Sequence, residues 1–212
     1  VLRKLNKQLG SHDHVDWLKR IEELKKEHPS MAIRSTDKLL PQYIIKQLSI
    51  ITKGEAIIVT GVGQHQMWAA QHYIFAEPRG LVTSGGSGAM GFEVPGAMGA
   101  QVGRPDKVVW SIAGDGGFQM TMAELATMVE NDIPVKFAII NNSNLGMVRQ
   151  WQEFFYDKSY VATQYTRNPD FVKLAEAFGV LGIRVTDKKQ VVPAIQKAME
   201  NDGPALIDFV VE

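Results

Sequence analysis

The fold is decided by residues 107–117, which read KVVWSIAGDGG. The apolar run 107–113 predicts a buried strand, because a strand covered on both faces lacks alternating polar residues. Gly114, Asp115 and Gly116 then form a polar loop, and residues 120–131 have the apolar pattern of a helix. A buried strand that leads through a glycine loop into a helix is the unit from which parallel sheets are built.

Strands and helices alternate through the rest of the second half of the chain. This order predicts an α/β fold, a three-layer αβα doubly wound parallel sheet with helices on both faces. We expect residues 35–212 to form this domain and residues 1–34 to be a helical arm, either the tail of a preceding domain or a linker. The predicted helices span 12–28, 36–51, 64–75, 120–131, 170–178 and 188–201, and the predicted strands span 56–60, 107–113, 135–140, 180–185 and 205–211.

The composition excludes several classes of protein. The 212 residues carry 23 basic and 23 acidic side chains and no cysteine. A disulfide scaffold, an iron–sulfur cluster and a cysteine nucleophile are therefore excluded. The balanced charge argues against nucleic acid or an anionic membrane as the main partner, and no apolar run is long enough to span a bilayer. The unusual feature is glycine, since 11 of the 19 glycines lie between Gly80 and Gly117.

Four polar loops that carry Gly, Asn, Asp or Ser are expected at the carboxyl ends of the strands. In an open parallel sheet, ligands bind outside the carboxyl ends of the strands. Glycine there allows close approach of the backbone, while Asn, Asp and Ser supply polar contacts. The four loops span residues 61–63, 84–91, 114–117 and 141–144. Together they predict one ligand site at this edge of the sheet.

Asp115 has two interpretations. Aspartate is a favoured helix N-cap, but its carboxylate could instead hold Mg²⁺ beside an anion such as a diphosphate, which the N–H groups of a helix start attract. Asn142, at the end of the next strand, is either a second oxygen ligand or part of a polar left-handed turn. Since neighbouring parallel strands lie about 5 Å apart, the two residues together favour a shared ion.

The two loops also carry a resemblance to a known family. Gly114-Asp115-Gly116, followed by the strand that ends at Asn141-Asn142, resembles the cofactor motif of thiamine-diphosphate-dependent enzymes. From about residue 35 to the end, the chain is most similar to the acetohydroxyacid synthase (acetolactate synthase) family, in the C-terminal, diphosphate-side domain of the catalytic subunit. The segments that carry this likeness are residues 61–68 (GVGQHQMW), 87–92 (SGAMGF), 114–120 (GDGGFQM) and 145–151 (LGMVRQW).

The resemblance implies a set of cofactor ligands. Mg²⁺ would be held by Asp115, the side chain of Asn142 and the backbone carbonyl of Asn144. The diphosphate would contact Gly63, Gln64, His65, Gly116 and Gly117, and Gly114 and Gly146 would belong to the same site. Backbone atoms of Gly88 and Met90 would contact the aminopyrimidine.

Three residues are implied to act where the reaction occurs. Met90 would lie under the thiazolium ring and hold the cofactor in a bent shape, with Met147 lining the same cavity. Trp151 would pack near the second substrate and help to select it, although a pocket wall discriminates one methylene by only about 1–3 kcal/mol.

The implied reaction joins two 2-ketoacids. Pyruvate would be decarboxylated and added to a second 2-ketoacid, such as pyruvate or 2-ketobutyrate, giving 2-acetolactate or 2-aceto-2-hydroxybutyrate. The family also places FAD on a middle domain, and an activating glutamate on a pyrimidine-side domain of a neighbouring subunit. The resemblance thus implies a homo-oligomer, a possible regulatory subunit, and a location in the bacterial cytoplasm or a eukaryotic organelle. We expect this chain alone to be inactive.

Two positions depart from the family pattern, and other interpretations stay open. Gly117 stands where relatives often have serine, and Glu93 lies in a stretch that is often apolar or small. The alternatives are another thiamine-dependent decarboxylase or oxidase, and a binding domain without catalysis. Trp68 and Trp110, with the methionines of the predicted helix 120–131, are expected to pack in the core.

Overall fold

The computed structural model describes all 212 residues and divides the chain into two compact units, Val1–Arg34 and Ser35–Glu212. The first unit contains helices α1 (Leu2–Asn6) and α2 (Val15–Glu27). The apolar face of α2, which includes Trp17 and Leu18, is mostly exposed.

The second unit is built on one six-stranded sheet. All of its neighbouring strands pair in parallel, in the order β2-β1-β3-β4-β6-β5. Strand β2 lies on one side of β1, and β3 and the later strands lie on the other side. The strand order therefore reverses between β1 and β3. The strands are β1 (Ile57–Thr60), β2 (Leu81–Thr83), β3 (Val109–Gly114), β4 (Lys136–Asn141), β5 (Leu181–Val185) and β6 (Ala205–Val210).

Helices cover both faces of the sheet. Successive residues of β1 show the alternation, because Ile58 packs with one group of helices while Ile57 and Val59 pack with the other. One face carries α3, α4 and α10, and the other carries α5, α6, α7 and α9. The predicted three-layer α/β architecture is confirmed. The helices are α3 (Pro41–Ile51), α4 (Gln64–His72), α5 (Glu93–Gly103), α6 (Asp115–Thr121), α7 (Glu124–Glu130), α8 (Gly146–Phe155), α9 (Phe171–Ala177) and α10 (Val191–Glu200).

The largest differences between the predicted and observed helix bounds concern two helices. Helix α3 begins at Pro41 rather than Thr36, since Leu40 is extended and a residue before proline avoids the helical region. The helix predicted over 120–131 is two helices, α6 and α7, joined by a turn whose bonds run from Leu125 to Met122 and from Ala126 to Ala123. Bonds three residues apart wind more tightly than an α-helix.

The methionine prediction was partly wrong. Met128 is fully buried, but Met120 is 57% exposed and lies outside the core. Trp110 is fully buried, as predicted. Three elements of the second unit were not predicted: β2 has only three residues, α5 contains glycines and a proline, and no residue of α8 is buried. β2 is too short, and α5 too rich in glycine, to show a clear apolar periodicity. Helix α8 does have apolar residues at helical spacing, at positions 147, 148, 151, 154 and 155, but it was not predicted.

No helix in the structure combines the length and the apolar character needed to cross a bilayer.

Candidate cofactor-binding site

A cleft opens at the carboxyl ends of β1, β3 and β4, where the strand order reverses. It offers about 60 Å³ of space for water-sized molecules and is open to solvent. The reversal point of an open α/β sheet is where ligands bind in this class of fold. The cleft is lined by all the predicted site residues except Gly88 and Trp151: Gly63, Gln64, His65, Met90, Gly114, Asp115, Gly116, Gly117, Asn142, Asn144, Gly146 and Met147.

Gly88 and Trp151 lie outside the cleft lining. Gly88 closes an exposed turn in which its N–H donates to the carbonyl of Ser84, and its φ of +65° suits glycine. Trp151 lies on α8, where its ring is 58% exposed and packs edge-on against Phe155 with the ring centres 6.2 Å apart.

Asp115 is buried at the first position of α6, directly after β3. The N-cap residue is Gly114, so the side chain of Asp115 does not act as the helix cap. Its Oδ1 accepts from the N–H of Gly116 at 3.0 Å, and its Oδ2 accepts from Asn168 Nδ2 at 2.7 Å. Burial raises the pKa of Asp115, and these hydrogen bonds oppose the shift. A carboxylate that is desolvated in this way is stabilised by a cation.

Asn168 is a residue of the site that sequence reasoning missed. Its Nδ2 donates both to Asp115 and, at 3.0 Å, to the side-chain oxygen of Asn141. It therefore fixes the start of α6 against the end of β4. No local motif marks this residue, because the contact joins positions far apart in the chain.

Backbone pairing explains how the Asn168 segment reaches the cleft. The N–H of Leu145 donates to the carbonyl of Thr163 at 2.7 Å, and the N–H of Tyr165 donates to the carbonyl of Ser143 at 2.8 Å. The pairing also brings the hydroxyl of Tyr165 against Gly116, where a Cβ would collide with it.

The Asn142 loop is a polar turn that also faces the cleft. Ser143 adopts a left-handed φ of +55°, and the side-chain oxygen of Asn142 accepts from the N–H of Asn144 at 3.1 Å. Asn144 Oδ1 in turn accepts from Arg149 at 3.1 Å. The turn interpretation and the ligand interpretation are therefore compatible, because the same residues line the cleft.

The donor set of the cleft fits a hard cation. Asp115 is the one acidic residue in the lining, and Asn142 and Asn144 add amide and carbonyl oxygens. Mg²⁺ prefers such oxygen ligands and commonly shares its coordination with phosphate. The structure contains no cluster of three or more His, Cys, Asp or Glu side chains that could hold a metal. The oxygen ligands of the lining suit an ion that shares its coordination with an anionic ligand.

His65 leaves a buried polar atom without a protein partner. Its Nε2 is buried and unpaired in the cleft lining, while its Nδ1 lies against Gly114. Burial lowers the pKa of His65 to about 4, so the imidazole is neutral at pH 7. Buried polar groups in native proteins are normally hydrogen-bonded. A ligand with polar atoms, such as a diphosphate, would satisfy this nitrogen.

Gln64 and Trp68 connect the cleft to the surrounding elements. Gln64 Nε2 donates to Gln150 Oε1 at 2.8 Å, which joins α4 to α8. A Cβ at Gly146 would overlap the Gln64 amide, which would then have to move. Trp68 packs on the core, as predicted, and also lines the cleft.

The chain matches one protein-family model, and the similar proteins described below are all acetolactate synthases. Residues 61–209 match the model described as "Thiamine pyrophosphate enzyme, C-terminal TPP binding domain". The acetolactate synthase of Mycobacterium leprae is 48% identical over 208 residues, which are 95% of this chain and 33% of that protein. The chloroplastic acetolactate synthase 1 of Nicotiana tabacum is 47% identical over 94% of the chain and 31% of its own length. The mitochondrial acetolactate synthase catalytic subunit of Saccharomyces cerevisiae is 41% identical over 99% of the chain and 31% of its own length.

The chain thus spans about a third of the length of the curated relatives that it matches.

Proposed function

The chain belongs to the thiamine pyrophosphate enzymes, as their C-terminal TPP-binding domain, and from this premise we propose that it is the cofactor-binding domain of an acetolactate synthase. The single observation that carries the proposal is the meeting of Asp115 and Asn142 in one cleft at the point where the strand order reverses. The identity of 41–48% with acetolactate synthases over nearly the whole chain supports the choice of reaction.

The chain's own residues would bind and orient the cofactor. Asp115, the side chain of Asn142 and the carbonyl of Asn144 would hold Mg²⁺. Gly63, Gln64, His65, Gly116 and Gly117 would bind the diphosphate, with the unpaired nitrogen of His65 as one partner. Backbone atoms of Gly88 and Met90 would contact the aminopyrimidine ring.

The two methionines of the lining would shape the reacting end of the site. Met90 lies in the loop after β2 and Met147 in the first turn of α8, and both line the cleft. Their side chains would support the bent cofactor and exclude water from the reacting carbon. Trp151, on the exposed side of α8, would contact the second substrate. Thiamine diphosphate, when bound, supplies the electron sink for decarboxylation of pyruvate and its addition to a second 2-ketoacid.

The remaining parts of the active site would come from outside this chain. We propose a pyrimidine-side domain of a neighbouring subunit as the partner, within a homo-oligomer that a regulatory subunit could join, and FAD on another domain of the full-length protein. The exposed aromatic residues of α8, Trp151, Phe154 and Phe155, support a partner on that side. The proposed substrates are pyruvate and 2-ketobutyrate.

Cofactor binding is tested by calorimetry on the full-length protein. We expect Asp115→Ala to lose most of the affinity for thiamine diphosphate in the presence of Mg²⁺, because it removes the one carboxylate of the cleft. Asp202→Ala is the matched control, since Asp202 is exposed and precedes β6 at the opposite edge of the sheet. Equal affinity of the Asp115 variant and the wild type would remove Asp115 from the site.

The reaction is tested by analysis of the products that the full-length protein forms from pyruvate. 2-Acetolactate is the expected product. Acetaldehyde or acetyl phosphate in its place would identify a decarboxylase or an oxidase and would overturn the choice of reaction.

A further inference from the structure

Glu93 is a fully buried carboxyl group that the proposed cofactor contacts do not use. It is the first residue of α5, and neither of its carboxyl oxygens has a hydrogen-bonding partner. Burying a carboxyl group without a partner is costly, and the cost is far larger for the charged form. Its backbone carbonyl accepts a hydrogen bond from the Ser111 hydroxyl at 3.2 Å.

The Glu93 carboxyl lies between the two loops that would bind the diphosphate. One of its oxygens occupies the space where Gly61 would carry a Cβ, and the other occupies that space at Gly117. Gly61 ends β1 and opens the loop to Gly63, while Gly117 lies in the first turn of α6. The carboxyl therefore acts as a wedge that sets the spacing of these loops. A side chain at position 117 would require the Glu93 carboxyl to move.

No opposite charge compensates this group. Helix α5 has no other ionisable residue, and the strands packed against it, β1, β2 and β3, have none. The ionisable residues on the packed helices are Asp115 on α6 and Glu124 and Glu130 on α7, all acidic. His65, on α4, is neutral at pH 7. Burial raises the pKa of Glu93 to about 7, and the nearby backbone groups of Glu93 and Gly91, which form no hydrogen bond with the carboxyl, offset only part of that shift.

We propose that Glu93 is a positioning residue held as a neutral carboxylic acid between the diphosphate loops, and that the site binds a diphosphate only with this proton in place. The inference rests on the proposed function, since it needs the diphosphate at Gly63, Gly116 and Gly117. An ionised carboxylate there would repel the anion, because little water screens a buried charge. Binding the diphosphate thus draws a proton onto Glu93 when the solution is alkaline.

The test compares the wild type with Glu93→Gln, which keeps the shape of the side chain and cannot ionise. Calorimetry on the full-length protein measures the Kd for thiamine diphosphate with Mg²⁺ at pH 6 and pH 8. From pH 6 to pH 8, we expect the Kd of the wild type to rise about tenfold more than that of the variant. Repeating the titration at pH 8 in buffers of different ionisation enthalpy measures the protons taken up on binding. We expect the wild type to take up close to one more proton than the variant. Glu130→Gln, an exposed carboxyl on α7, is the matched control and should behave as the wild type.

Each outcome supports or overturns the proposal. The same pH dependence in Glu93→Gln and the wild type would overturn it, as would loss of binding at every pH in a folded variant. An infrared carboxylic-acid band at pH 6 that disappears in Glu93→Gln would support the neutral form without any ligand. The Asp115→Ala variant separates the two hypotheses. If it binds the cofactor as tightly as the wild type does, the proposed cofactor site is wrong. If Asp115→Ala loses binding but Glu93→Gln shows the same pH dependence as the wild type, only the Glu93 proposal is wrong.

Discussion

At the scale of single residues, the site depends on buried polar groups that are held by distant parts of the chain. Asn168 is the clearest case, because one amide nitrogen donates to both Asp115 and Asn141. The other oxygen of Asp115 accepts a hydrogen bond from the N–H of Gly116. Because both oxygens are bonded, the carboxylate is held in one orientation. Residues that orient a metal ligand contribute to metal affinity without touching the metal.

We expect Asn168→Ala to weaken Mg²⁺ binding by about 10- to 100-fold, which is the usual effect of removing such a support. The measurement is a Mg²⁺ titration at saturating thiamine diphosphate, followed by calorimetry or by intrinsic fluorescence. Asn131→Ala, an exposed asparagine that follows α7, is the control and should leave the titration unchanged. An unchanged Mg²⁺ affinity in a folded Asn168 variant would show that Asp115 needs no such support.

Glu93 also makes a prediction about folding stability. Because burial raises its pKa to about 7, the native state keeps this proton over a range in which the unfolded chain, with a pKa near 4.5, releases it. The free energy of unfolding therefore falls as the pH rises from about 4.5 to about 7, and stays lower above that range. The shift corresponds to roughly 3 kcal/mol.

Urea unfolding of Glu93→Gln checks this prediction. The variant should gain stability relative to the wild type as the pH rises from 5 to 8, and the difference should then level off. If the stability difference between the two proteins were the same at pH 5 and pH 8, Glu93 would be ionised in the native state across that range.

At the scale of elements, α9 shows how a helix start is tied to the sheet. The backbone N–H groups of Val172 and Lys173 both donate to the side chain of Asp170. Asp170 also forms an ion pair with Arg184 of β5. Arg184 bonds to Asp208 of β6, and Asp208 accepts from Asn141 at the end of β4. The helix cap is therefore connected, through charged and amide groups, to the strand that precedes the Asn142 loop.

We expect Asp170→Ala to lower the free energy of unfolding by about 1 kcal/mol, the usual cost of losing a helix cap. Asp170→Asn is the matched variant, since it keeps a cap and loses only a partly exposed ion pair, worth a few tenths of a kcal/mol. Arg184 holds the pKa of Asp170 below its ordinary value, so this stabilisation is present at neutral pH and is lost as the pH falls through that lowered pKa. Equal urea midpoints for the Ala and Asn variants would contradict the role of the cap.

The elements also show what could be predicted from sequence. The apolar strands and the periodic helices were predicted because burial on a sheet imposes those patterns locally. The loops that line the cleft were predicted because glycine, Asn and Asp at strand ends are visible in sequence. Asn168 and the wedge at Glu93 were not, since their partners, Asp115, Gly61 and Gly117, are brought together only by the packing of the sheet.

At the scale of the whole molecule, the cleft is a site with one side uncovered. It opens to solvent, and the aromatic side chains of the adjacent α8 are exposed. Monomeric proteins seldom leave large apolar patches open, and such patches mark interaction sites. The curated relatives are about three times as long as this chain, which leaves room for the partner domain.

The last prediction concerns the 212 residues produced alone. We expect this chain to bind thiamine diphosphate in an Asp115-dependent way, because the residues that would contact the diphosphate and Mg²⁺ line its own cleft. We expect no acetolactate from pyruvate, because orienting both substrates and activating the cofactor would require the domain that covers the open side. The measurement is acetolactate formation by equal molar amounts of the isolated chain and the full-length protein, with the full-length Asp115→Ala variant as the background. Turnover by the isolated chain at the rate of the full-length protein would show that one domain suffices, and the proposed partner domain would then have no part in catalysis.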